Sequence, residues 1–293
     1  MSRLPPTEAE NPQSAGLDLL ATLALVELLI ADQRSAVDAV LAQTHPIAQA
    51  VDEIARRLGR GGRLHYVGAG SSGRIATLDA SEMPPTFGTP PEMVRAHIAG
   101  GTPALVQAVE GAEDDATAGS DAMLEFVRPE DAVLGISASG TAAFVVAAIA
   151  RAKTLGAYTI ALTADAESPL ARAAALAIVP RTGAEVLAGS TRLKAGTAQK
   201  LVLNAISTAV MVRLGKIYDN LMVDVVANNR KLRGRALRLV ARLAQVNDER
   251  AEALLAAAGG SVKLAVVMQR RDLTAPQARA LLEQNDGMLR ELL

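Results

Sequence analysis

Hydrophobic positions along this chain fall into two regimes. Between residues 16 and 58 they recur at helical spacing. Leu19, Leu20, Leu23, Val26, Leu28, Ile30, Val37, Val40 and Leu41 predict a helical stretch over 16–42, and 47–58 predicts a second helix closed by the glycines of 59–62. From residue 63 the pattern changes to short, unbroken apolar runs, each followed by a small-residue loop and an alanine-rich helix. Residues 63–67 read as the first buried strand and 94–98 as another, and the unit of strand then helix recurs as 132–136 with 142–154, 158–163 with 169–175, and 177–180 with 196–214. Such alternation implies a parallel sheet covered on both faces, with its ligand site beyond the carboxyl ends of the strands, where the small-residue loops lie. After Lys216 the strand pattern stops, and 230–244 plus three shorter segments near 249–258, 261–270 and 275–283 are helical in pattern. The fold class is therefore α/β: a parallel-sheet sandwich over 54–217, preceded by an N-terminal helical segment, 1–53, and followed by a small C-terminal helical domain, 218–293.

Composition narrows the function without choosing it. Half of the 293 residues are hydrophobic, enough for one sizeable core and an appendage. With 30 basic and 31 acidic residues the net charge is -1, so no broad field draws the chain to nucleic acid or to an anionic membrane. There is no cysteine, which removes thiolate nucleophiles and disulfides, and the three histidines, His45, His65 and His97, lack ligand spacing, so no metal site is expected. The most apolar run, 17–30, is too short and too charged to span a bilayer, and residues 1–13 have no basic segment of the kind that opens a secretion signal. A soluble, cytoplasmic protein is the expectation.

Chemistry concentrates in the loops. Gly68, Gly70 and Gly73 stand where the backbone leaves the first strand, turns and opens a helix, so its first amides can cradle an anion, with the Ser71 and Ser72 hydroxyls beside them. The spacing also fits the dinucleotide pattern G-x-G-x-x-G. However, Pro84 and Pro85 predict that the helix stops by Met83, and no acidic residue ends a second strand at the distance a ribose requires. A monophosphate therefore fits better than a nicotinamide or flavin nucleotide. The loop after the third strand repeats the arrangement with Ser137, Ser139, Gly140 and Thr141; each hydroxyl taken alone reads equally well as a helix cap. Neither loop has a His or Lys base beside it, so a serine nucleophile is not expected.

The carboxylates come next. Glu82 precedes the stiff Pro84-Pro85 pair and can project toward the loops, while Glu113 lies in a glycine-interrupted acidic turn that also holds Glu110, Asp114 and Asp115. Two carboxylates near a sugar can divide acid and base work. Capping or solvation accounts for Glu110, Asp114 and Asp115, and for Glu113 both readings stand. In 183–200, glycines and hydroxyls crowd together with Glu185, Ser190, Arg192, Lys194 and Lys200, a set suited to a sugar phosphate; Glu185, Ser190 and Arg192 are the candidates there. His65 reads as a hydrogen-bonded core residue, and the basic set Arg230, Lys231, Arg233, Arg235, Arg238 and Arg242 as a solvated helix face.

Together, the glycine-serine loop at 68–73, the run Leu78-Asp-Ala-Ser-Glu-Met-Pro-Pro-Thr-Phe-Gly88, the acidic turn at 109–115 and the segment 183–200 resemble the N-acetylmuramic acid 6-phosphate etherase family. The resemblance extends from Thr7-Glu8, with Asn11, Ser14 and Asp18, to 220–229 and the C-terminus. That family belongs to the sugar isomerase (SIS) fold group, and 183–200 is similar to a signature shared with the glucokinase regulatory protein. The resemblance implies a cytoplasmic enzyme of cell-wall amino sugar recycling that needs no cofactor, and a homodimer whose partner chain can contribute to each site. It implies Glu82 as proton donor to the departing ether oxygen and Glu113 as the second acid/base group. It also implies a sugar-phosphate site that draws on Gly70, Ser71, Ser72, Ser137, Ser139, Thr141, Glu185, Ser190 and Arg192, and a C-terminal three-helix fold of ubiquitin-associated type. A non-catalytic sugar-phosphate regulator would keep the loops without needing the two glutamates. An aldose-ketose isomerase of the same fold would not need the acid for an ether oxygen.

Overall fold

The structure, a computed structural model, describes residues 4–225 and 230–293. Five strands form its sheet: β1 (Leu64–Gly68), β2 (Val94–Ile98), β3 (Ala132–Ile136), β4 (Tyr158–Leu162) and β5 (Leu176–Ile178). They are all parallel, in the order β2-β1-β3-β4-β5, with Leu64 opposite both Val94 and Ala132, and Ala132 opposite Tyr158. Every residue of β1 and β3 is buried, which explains why these strands read as unbroken apolar runs rather than alternating ones. One face packs through Val67, Val133 and Ala161 against Met123, Phe144, Val145 and Ile149.

The helices are α1 (Thr22–Asp32), α2 (Arg34–Leu41), α3 (Thr44–Leu58), α4 (Gly70–Phe87), α5 (Ala116–Phe126), α6 (Ala143–Thr154), α7 (Pro169–Ala173), α8 (Lys194–Arg213), α9 (Arg230–Ala244), α10 (Asp248–Ala257), α11 (Val262–Arg271) and α12 (Ala275–Gln284). In α3, Ile47, Ala50, Val51, Ile54, Ala55 and Leu58 form one buried stripe at helical spacing. The stretch expected to be helical over 16–42 is not one helix. A 3-10 turn, Leu17–Leu19, precedes α1, and α1 and α2 meet at Gln33. Nor is its apolar stripe covered: Leu19, Leu23, Val26, Ile30, Val37 and Leu41 are exposed, and α1 buries no residue.

A second expectation also fails, because α4 does not stop at Met83 but continues through Pro84 and Pro85 to Phe87. Proline's fixed φ suits a helix, and what it removes is its own amide. Both lost amides belong to one terminal turn, and the ladder resumes where the Gly88 amide donates to the Pro84 carbonyl at 3.0 Å. Gly88, with φ +62°, then ends the helix in the left-handed region.

By its internal contacts the chain divides into two compact units, one reaching from the N-terminus to Ala80 and over Glu92–Ser207, the other Ser81–Pro91 with Thr208–Leu293. The second has its own core, in which Val223, Leu239, Val240, Leu254, Val262 and Val266 are buried. There Asp224 accepts from Lys263 at 2.9 Å and lies 3.2 Å from Lys216. Along α9 the basic residues are largely exposed while Ala236, Leu239, Val240 and Ala244 are buried, as a solvated basic face requires. Among the described residues no single helix is long and apolar enough to cross a membrane.

Two polar clusters lie inside the sheet unit. His65 Nδ1 is 2.9 Å from His97 Nε2, and His65 Nε2 is 3.3 Å from an Asp131 oxygen. Asp131 also accepts from the amides of Arg63 and Arg128. The carboxylate, which accepts from those amides, also accepts from His65 Nε2–H, so His65 Nδ1 accepts and His97 Nε2 donates. Burial, reinforced by the charges of His65 and Arg95, lowers the His97 pKa to about 4. In the second cluster Asp79 accepts from the Tyr66 hydroxyl at 3.0 Å and the Ser207 hydroxyl at 3.2 Å. Burial raises the Asp79 pKa, partly offset by those hydrogen bonds.

Candidate active site

The strand order fixes where a ligand can sit. From β1 the chain goes to β2 on one side and then to β3 on the other, so the connections leaving β1 and β3 diverge and open a crevice at the carboxyl edge of the sheet. A cavity of about 310 Å³ occupies that position. Its walls are the start of α4, with Gly70, Ser71 and Ser72, and the loop after β3, with Ser137, Ser139 and Thr141. Glu113 and Asp114 close another side, and Glu8, Gly189 and Thr191 the remaining one.

The first loop is tight by necessity. A Cβ at Gly68 would lie 2.7 Å from the Gly73 amide nitrogen, and one at Gly73 would meet Ile98, so β1 and α4 approach as closely as they do only because both positions are glycine. Gly70 has φ +52° and begins α4, whose first amides have no partner within the helix and face an incoming anion. Ser71 is partly exposed at this point, whereas the Ser72 hydroxyl donates to Gln199 Oε1 at 3.0 Å and ties α4 to α8.

The second loop resembles the first in sequence and differs in construction. Gly140 has φ +69° and packs against Ser168, and its amide donates to the Ser137 hydroxyl at 3.1 Å. Ser137 therefore shapes the loop. Ser139 and Thr141 remain at its surface, their hydroxyls 2.8 Å apart.

Glu113 is held in a 3-10 turn, Ala112–Asp114, entered through Gly111 at φ +70°. Arg74 of α4 donates to the carbonyls of Ala104, at 2.9 Å, and Gln107, at 3.1 Å, and so secures the segment leading from β2 to this turn. Asp115 caps α5 by accepting from the Ala118 amide, which is the capping role its position suggested. Glu113 itself is exposed at the cavity.

Four sequence candidates are not among the residues lining this cavity. Glu82 is an exposed residue of α4, roughly three turns beyond Gly70. Ser190 and Arg192 flank the cavity residue Thr191 without lining it themselves. Glu185 is wholly buried, and its two oxygens accept from the amides of Lys194 and Ala195, each at 2.9 Å. Both oxygens thus serve the first turn of α8, where the helix dipole favours a carboxylate. Lys194 is likewise committed, at 3.0 Å from Asp32, while Thr197 donates to Gln33 at 2.7 Å. Asp32, the last residue of α1, and Gln33 after it thus anchor the N-terminal segment to α8.

Glu8 was not foreseen as a site residue. What places it is non-local: the Gly189 amide donates to the Thr7 carbonyl at 3.1 Å, and Asn11 donates to the Ala184 carbonyl at 3.4 Å. A larger hollow of about 740 Å³ beside the same segment, walled by residues such as Leu17, Leu25 and Val186, contains neither serine loop.

Comparison with known proteins agrees with this geometry. Residues 46–153 match the model of the glucokinase regulatory protein N-terminal SIS domain, and 107–209 that of the SIS domain. The chain is 49% identical to N-acetylmuramic acid 6-phosphate etherase 2 of Vibrio cholerae serotype O1, over 98% of this chain and 94% of that one. It is 48% identical to the N-acetylmuramic acid 6-phosphate etherase of Serratia proteamaculans, over 98% and 97%. Among solved structures it is similar in fold to a phosphoheptose isomerase from Francisella tularensis, with TM-score 0.51 and 21% identity over 66% of this chain and all of that one.

Proposed function

The chain belongs to the N-acetylmuramic acid 6-phosphate etherase family, and we propose that it cleaves the D-lactyl ether of N-acetylmuramic acid 6-phosphate, giving N-acetylglucosamine 6-phosphate and D-lactate in amino sugar recycling. What carries the reading is near-full-length identity to etherases together with a cavity that joins both hydroxyl loops to Glu113. The open-chain sugar exposes an aldehyde at C1, which acidifies the C2 proton. A base removes that proton and the C3–oxygen bond breaks, leaving a C2=C3 double bond conjugated with the aldehyde. An acid protonates the departing ether oxygen, which leaves as lactate. Water then adds its oxygen at C3 and a proton returns to C2, so the sum is hydrolysis with no oxidant or cofactor.

In this reading the amides at Gly70–Ser72 and the hydroxyls of Ser71, Ser139 and Thr141 hold the phosphate. Glu113 exchanges the proton near C2. Glu82 is the proton donor on the strength of its place in the family motif, and Ser190 and Arg192 border the site. The protein works in the cytoplasm as a homodimer. The uncovered row of Leu19, Leu23, Val26 and Ile30 supports a partner copy, as an apolar patch of this size does in a soluble protein.

The test is incubation with N-acetylmuramic acid 6-phosphate in 18O-labelled water. D-Lactate release with label in the sugar product is expected, and a folded protein that releases none overturns the reading. Glu82→Gln and Glu113→Gln should each lower turnover about 100-fold or more, and near-normal turnover removes that residue from the chemistry.

A further inference from the structure

The lining of the cavity brings together the amides that begin α4, the hydroxyls of Ser139 and Thr141, and Glu8, which stands against Gly189. Three features place that residue there. Thr7, next to it, is buried to 1% and accepts from the Gly189 amide at 3.1 Å. Gly189 has φ +75°, and a Cβ there would lie 2.8 Å from Glu8 Oε2, so the glycine leaves the space the carboxylate fills. Asn11 secures the following turn through the Ala184 carbonyl. This attachment joins residues far apart in sequence and directs one side chain into the cavity.

A carboxylate is an acceptor and repels anions, which settles which end of a sugar phosphate it can meet. Neither the phosphate nor the lactyl carboxylate can lie against it. Hydroxyl groups and an amide N–H can. We propose that Glu8 is a specificity-determining residue of this site: it accepts hydrogen bonds from the uncharged donors of the amino sugar, and so orients the ring between the phosphate cradle and Glu113. The inference rests on the etherase reading for its substrate. Glu8 binds sugar and product alike and does not transfer a proton, so its loss acts on binding more than on turnover.

The experiment compares wild type, Glu8→Gln and Glu8→Ala in lactate release from N-acetylmuramic acid 6-phosphate, in calorimetric binding of N-acetylglucosamine 6-phosphate, and in thermal unfolding. KM and the product Kd should rise about tenfold or more in Glu8→Ala, with kcat within about threefold, the pH profile of kcat unmoved and the melting temperature unchanged. Glu8→Gln keeps one carbonyl acceptor and should recover part of the loss. If wild type releases no lactate, the etherase reading fails, whereas an active wild type with unchanged KM and Kd in both variants overturns the role of Glu8 alone. A collapse of kcat with KM preserved overturns it too, since that marks a proton-transfer group. A lowered melting temperature with unchanged KM and Kd likewise overturns it, reducing Glu8 to part of the N-terminal attachment.

Discussion

The strand interior and the loop edge of the sheet are built from the same polar residue types and put them to opposite uses. Inside, Asp131 is buried to 1% with its oxygens engaged by two backbone amides and His65, and His65 in turn meets His97. Asp79 is likewise held by Tyr66 and Ser207. At the edge, Glu8, Glu113 and Thr141 are exposed and Ser139 half-buried on a cavity. The difference lies in solvation rather than in residue type. A buried polar group must find partners within the protein, and once it has them it offers nothing to a ligand. A group at the mouth of a crevice keeps lone pairs and protons that a ligand can claim.

The interior should therefore respond to mutation in stability, with the largest effect at Asp131. Asp131→Ala leaves the Arg63 and Arg128 amides and one His65 nitrogen unpaired in a dry environment and should cost about 4 kcal/mol of unfolding free energy. Urea denaturation checks this, and a loss below roughly 1 kcal/mol would mean that the cluster is not the closed structural network described here. Acid attacks the same network through His97. Its folded pKa, about 4, lies below that of the unfolded chain, so the unfolded state binds the proton first as pH falls. The stabilisation is complete above the ordinary histidine value and is lost as pH drops toward 4. Between pH 7.5 and 5 the loss should be about 1–2 kcal/mol, read from denaturant midpoints. A Asp131 contribution enters only at lower pH, because hydrogen bonds from His65 and the two amides outweigh burial and hold its carboxyl below the usual range. A flat profile between pH 7.5 and 5 would place His97 at the edge's end of the comparison, in contact with water.

How much of this could be read from the sequence follows the same division. Period and composition locate β1 to β5 closely, because the buried strands β1, β3 and β4 are mostly apolar and the loops after β1 and β3 carry glycine. They also place both serine loops and Glu113 at one edge, since strand direction carries loops there whatever their detail. What sequence could not provide is the partner of each polar side chain. Glu185 drew attention because it sits among the glycines, hydroxyls and charges of 183–200, and the structure shows its oxygens accepting from the amides of α8, a pairing across nine residues or more. Glu8 was not foreseen as a site residue because its position depends on Gly189, far along the chain. The proline pair misled for a different reason: two missing amides in a terminal turn do not stop a helix whose closing amide, Gly88, still bonds. Helical spacing foretold the helix of α1 but not what covers its apolar residues, none of which is buried.

The smallest expected effect is the sharpest test of the comparison, since it sets two serines of similar local sequence against each other. The Ser72 hydroxyl is buried and donates to Gln199, whereas the Ser139 hydroxyl is exposed beside Thr141. Ser72→Ala leaves an unsatisfied acceptor between two helices and should lower stability by about 1 kcal/mol, with product affinity nearly unchanged. Ser139→Ala removes a hydroxyl that accepts from the Thr141 amide at 3.3 Å, a contact that water replaces at this loop surface, so its unfolding should be nearly normal. In the complex, the phosphate loses a donor that it would otherwise hold, and the Kd for N-acetylglucosamine 6-phosphate should rise about five- to tenfold. Calorimetric titration and thermal unfolding of the two variants give the four numbers needed. If Ser72→Ala weakens binding while Ser139→Ala weakens folding, the loops have been assigned the wrong way round, and exposure at the crevice is not what frees a hydroxyl for the ligand.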